Sequence, residues 1–166
     1  RPPGTRPGTS RTGPGRVPDA CIGTFTGMVA LRIDAPDPDA SPIVRTDFRD
    51  DASWQRLLAD AQRPYGPDGF TASFDPVIAD RSLEGLDALA LAAVEGDAHV
   101  VFVADGAALQ AEERSVIVVD RDGVRGRSFR CVLPELWAVE NNLRLGNMDF
   151  HEFFDNVDDD GVFRGF

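Results

Sequence analysis

His99-Val-Val-Phe-Val-Ala104 is a nearly unbroken run of β-branched and aromatic residues, and it ends on Asp105. Such a run marks a strand buried on both faces of a sheet, because neither face offers its side chains to water. Val116-Ile-Val-Val119 repeats the pattern and ends on Asp120. Outward from this pair, Phe129–Leu133 reads as a third strand. It is expected to lie antiparallel to Val116–Val119 through Arg121-Asp-Gly-Val-Arg-Gly-Arg127, whose two glycines suit a hairpin. Upstream, Ile43–Thr46 is a short apolar strand. Asp47–Asp51 supplies carboxylates fit for a helix N-terminus, and Trp54, Leu57, Leu58 and Ala61 then recur at helical spacing. Arg63–Gly69 is a loop by its proline and glycine content, Phe70–Ile78 resumes an extended pattern, and a second helix is expected over Leu83–Val94.

Downstream, Pro134 suits the first turn of a helix carrying Leu136, Val139 and Leu143 on one face. Phe150, Phe153, Phe154 and Val157 form a further apolar stripe. Strands alternating with helices predict an α/β domain with a single small mixed sheet of about five strands flanked by helices.

The chain has 166 residues, which suits one core. Residues 1–16 hold four Arg, four Pro, four Gly and no acid, and nothing there can anchor a core, so a disordered leader is expected. Asp34–Pro42 reads as a proline-stiffened linker, which places the domain at 42–166 and leader plus linker at 1–41. Met28 is the start point expected from this pattern, with 1–27 then read as upstream sequence. Ala20–Leu31 is too short to span a bilayer, and no A-x-A-like cleavage site follows it. A cytoplasmic location without a membrane fits.

Residues 43–166 hold 24 acids against 12 Arg, a net charge of −12. That surface repels phosphate backbones, so no nucleic-acid partner is expected and a basic protein partner is permitted. The chain has no Lys, which removes Schiff-base and P-loop chemistry. Its two cysteines, Cys21 and Cys131, support neither a disulfide framework nor a cysteine zinc site, and no cofactor is implied. Oligomeric state is left open.

Three carboxylates follow strands: Asp47, Asp105 and Asp120. If their strands ran parallel, the three would converge where α/β sheets gather ligands, and would form a site for a hard cation in a metal hydrolase. Asp is common at strand ends for local hydrogen bonding alone, so capping a helix or starting a loop is the first reading and the cation site the alternative. Asn156, Asp158, Asp160 and Gly161 match the first half of a calcium loop. Position eleven falls on Phe166, so the closing bidentate Glu is missing, and an acidic turn before a short terminal strand is expected instead. Phe163 and Phe166 are expected to dock on the core. His99 and His151 read as a strand-edge and a helix-surface residue, and Cys131 as an inert thiol on a packed strand face. No nucleophile elbow is present, so an enzyme is the less favoured reading.

Trp137, Glu140, Asn141, Asn147 and Asp149 stand among core-type residues between Leu133 and Phe153. They either cap two successive helices about Gly146 or form a polar and aromatic binding face. This stretch, with Thr46–Trp54, His99–Asp105 and the closing Asp-Gly-Val-Phe-Arg-Gly-Phe, resembles a family of small actinobacterial proteins known only as a domain of unknown function. The resemblance implies a small α/β fold and carries no activity. The reading that follows is an acidic interaction, regulatory or inhibitor module.

Overall fold

The computed structural model describes residues 31–36, 40–65 and 68–166. Its sheet has six strands: β1 (Ile43–Arg45), β2 (Val77–Ile78), β3 (Val100–Ala104), β4 (Ser115–Asp120), β5 (Ser128–Val132) and β6 (Val162–Phe163). They lie in the order β2-β1-β3-β4-β5-β6. β1 is parallel to β2 and β3, β4 is antiparallel to both its neighbours, and β6 joins β5 in parallel. The sheet is the small mixed one expected, and it reaches six strands because the short terminal strand Val162–Phe163 joins its edge by pairing with Arg130 and Cys131.

Alternation along the strands builds two cores. Ile43, Phe102, Ala104, Val116, Val118, Phe129 and Cys131 face one side. Helices α1 (Asp51–Ala61), α3 (Gly106–Gln110), α4 (Leu136–Arg144) and α5 (Phe150–Phe154) contribute Trp54, Leu57, Ala108, Leu136, Val139 and Phe153 to the same cluster. Val44, Val101, Val103 and Val119 face the other side, with Leu91 and Ala92 of α2 (Ala88–Ala93) and Leu83 of a single 3-10 turn. α1 follows β1 on one face and α2 precedes β3 on the other, so the chain changes face between these adjacent strands.

The second helix is shorter than expected. Gly85 takes a left-handed conformation (φ 73°) after the 3-10 turn, and the Asp87 carboxylate accepts the Ala90 amide to begin α2 at Ala88. Only the last two residues of the extended Phe70–Ile78 stretch pair with β1. The greater difference lies upstream of Pro42. Ile33, which falls in the leader and linker expected over 1–41, is completely buried in the second core, and its amide donates to the Glu95 carbonyl at 2.8 Å. The disorder expected over 1–16, the proposed start at Met28 and Cys21 all lie outside the described residues.

At the other end of the chain, Phe163 is buried and packs edge-on against Phe153 with ring centroids 5.4 Å apart. Phe166 touches both rings yet stays 77% exposed, so docking runs through Phe163 and only grazes Phe166.

Candidate functional site

β4 runs against β3, and this separates the three strand-end carboxylates. Asp120 stands opposite Val100, at the start of β3, whereas Asp105 follows its end. At ~3.3 Å per residue the two are about 16 Å apart along the strand. Asp120 is 5% exposed and accepts the amides of Asp122, Gly123 and Val124 at 3.0, 2.8 and 2.7 Å, so its charge organises the β4–β5 loop. The three-carboxylate cation site is therefore not assembled. Among the described residues no group of three or more His, Cys, Asp or Glu is placed to hold a metal.

Asp47 and Asp105 do share the carboxyl end of β1 and β3, lining a cleft of about 470 Å³ with Thr46, Glu84, Asp87 and Gly106. Both are engaged. Arg49 grips Asp47 through its amide (2.9 Å), its Nε and its Nη2, and this hydrogen bonding holds the Asp47 carboxyl below the usual carboxylate range. Asp105 accepts the Ala108 amide at 3.0 Å, capping α3, and pairs with Arg130 reaching across from β5. Asp47 and Asp105 are thus both paired with an arginine of their own chain.

The polar residues around α4 divide in the same way. Glu140 has no exposed surface and accepts Ser41 Oγ at 2.8 Å, the Ser73 amide at 3.1 Å and Arg144 Nε at 2.9 Å. Asn141 Nδ2 donates to the Thr71 and Trp137 carbonyls, and the Trp137 ring stacks on Phe70 at 5.3 Å. These three side chains clamp the 70–74 segment to α4 and do not form an open polar face. Asn147 follows Gly146, which takes φ 64° to end α4, as expected of a left-handed stop. Asp149 caps α5 in a reciprocal box with Glu152.

Gly146 and Asp149 nevertheless border an open groove at the end of the sheet opposite the Asp47 cleft. Two connecting hollows, about 390 and 410 Å³, share His99, Val100, Leu143 and Gly146. Their walls include Leu145, Met148, Phe150, His151, Val124 and Arg127. Both histidines of the chain meet here, although they read as unrelated surface residues in the sequence. His99 Nδ1 lies 3.3 Å from Asp122 at the rim. Val100, Phe102, Leu143, Met148 and Phe150 give the groove an apolar lining, and Val124 (52% exposed) and Leu145 (59%) add exposed apolar side chains to it.

The acidic turn at Asn156–Gly161 carries no free ligand set either. Arg164 pairs with Asp158 and Asp160 at 2.7 and 2.9 Å and ties them to Glu113. Its hydrogen bond holds the Asp160 carboxyl below its ordinary range. Cys131 is fully buried, and burial pushes its thiol well above its ordinary value, away from nucleophilic use. Among the described residues no helix is long and apolar enough to cross a membrane.

Fold and site together define a small three-layer α/β domain with a crevice at one sheet end whose Asp47 and Asp105 are paired internally, and an amphipathic groove at the other. Residues 40–166 match the family described as Domain of unknown function (DUF6924), and the chain belongs to that family. No curated protein matches the chain.

Proposed function

We propose that the domain is a cytoplasmic interaction module, a regulator or inhibitor that recognises a basic protein through the groove between α4, α5 and the β4–β5 hairpin. The observation that supports this reading is the pair Val124 and Leu145, exposed along a groove also lined by Leu143, Met148 and Phe150. Apolar side chains held in water favour a partner that covers them, and Met adapts its shape to such a partner. Asp122 and Asp149 on the rim, in a domain carrying −12 from 24 acids and 12 Arg, select a partner of positive charge. Lysine-free composition suggests an actinobacterial source.

The test is affinity capture from source-cell lysate at low salt with the wild-type chain and with Leu145→Asp immobilised side by side. A protein held by the wild type, released by salt and lost from the variant is expected. Equal capture by both removes the groove from the reading, and capture by neither removes the interaction module.

A further inference from the structure

The second core contains a slot that the segment 31–35 fills. Ile33 inserts its side chain completely, joining a cluster with Leu83, Leu91 and Ala98. Its backbone is held on both sides: the Ile33 amide donates to the Glu95 carbonyl at 2.8 Å, and the Ile33 carbonyl accepts Arg121 Nη1 at 3.1 Å. Two residues on, the Ala35 amide donates to Asp97 Oδ1 at 2.8 Å. Arg32 adds an exposed ion pair to Glu95.

The receiving side is shaped for a backbone to approach. A Cβ at Gly96 would sit 2.1 Å from the Ile33 carbonyl oxygen, and the φ of +139° there is one that residues with side chains rarely adopt. Arg121 is 6% exposed and gives its donors to three main-chain carbonyls, those of Ile33, Val94 and Ala98, with no carboxylate among its hydrogen-bond partners. Its Nε is buried and unpartnered, so the resident segment leaves one donor unused.

Yet the segment that fills this slot lies outside residues 40–166, the stretch that matches the family model. The slot itself is built entirely from residues within it.

We propose that the slot bounded by Gly96, Asp97 and Arg121 is a docking site for an extended peptide of a partner protein, and that Ile33–Ala35 occupies it as an intramolecular stand-in. The occupant it fits has a β-branched aliphatic residue followed two positions later by a small one, the Ile-x-Ala spacing of the resident. Main-chain hydrogen bonds give such strand addition its affinity and the side-chain pocket its selectivity. An acidic or carbonyl group meeting Arg121 Nε gives a partner segment an advantage over the resident. The slot lies on the opposite face of the sheet from α4 and α5, and the proposal stands or falls independently of the groove.

The experiment uses the full chain and a fluorescent peptide of residues 30–36, followed by anisotropy. In the wild type the tethered segment competes, and binding is weak. Ile33→Asp ejects it, and the apparent affinity is expected to rise at least tenfold while the chain still unfolds cooperatively by circular dichroism. Adding Gly96→Val to Ile33→Asp abolishes that binding. A folded Ile33→Asp chain that does not bind the peptide overturns the proposal, and so does loss of cooperative unfolding, which makes the segment part of the obligatory core. Concentration-dependent dimerisation of the wild type with exchange of the segment assigns the slot to a second copy and overturns it as well.

Discussion

The two ends of the sheet carry similar residues and use them differently. At the carboxyl end of β1 and β3, Asp47 is held by Arg49, Asp105 by Arg130, and Arg45 pairs with Asp51 beneath them. Charge there is spent inside the molecule, as is Asp120 at the opposite end, which its own loop consumes. What distinguishes the opposite end is surface that no described residue covers: Val124 and Leu145 in water, and two histidines lining one hollow with Phe150 and Met148. An acidic residue is thus a poor guide to function until its partners are counted, whereas an exposed apolar pair over a groove has no internal use.

Substitutions divide along this contrast. Asp120→Ala strands three loop amides at a position 5% exposed and is expected to cost about 3 kcal/mol in urea unfolding, the largest effect of the set. Asp105→Ala removes the α3 cap and a half-exposed ion pair, for about 1–2 kcal/mol by the same measurement. A larger loss of partner capture than of stability from either one breaks the division.

The Asp47 carboxyl offers a pH test. Its folded pKa lies below the unfolded value, so the unfolded chain binds the proton more readily and the contribution to stability is present above about pH 4. It is lost as pH falls through the lower, folded value. Asp47→Asn is expected to flatten the acid limb of a stability curve measured below about pH 4; an unchanged limb contradicts the pairing with Arg49. Leu145→Asp stands at the small end, within about 0.5 kcal/mol of wild-type stability because the side chain is already in water.

Much of this fold is legible in residue order because the information is local. The β-branched runs around Phe102 and Val118 mark the central strands, and Gly123 and Gly126 after the second run mark the β4–β5 hairpin. α3 is not legible, since five residues are too few to display a helical period and Asp105 looks the same at a strand end as at a cap. Glu140 is partly legible: it lies four residues after Leu136, on the inward face of α4. Its partners Ser41 and Ser73 come from distant chain and cannot be read from that spacing. Ile33 hides between two charges, Arg32 and Asp34, and its burial depends on Gly96 and Arg121. The groove is the least legible feature. His99 and His151 meet only once β4 reverses direction and α4 stops at Gly146.

The most direct test of the groove as the recognition surface is a two-dimensional amide NMR titration of the full chain with a 15-residue helical peptide of leucine and arginine at amphipathic spacing. Saturable shifts confined to His99, Val124 and Leu143–His151 are the predicted result. Shifts centred on Asp47 and Asp105, or spread evenly over the acidic surface, would contradict it.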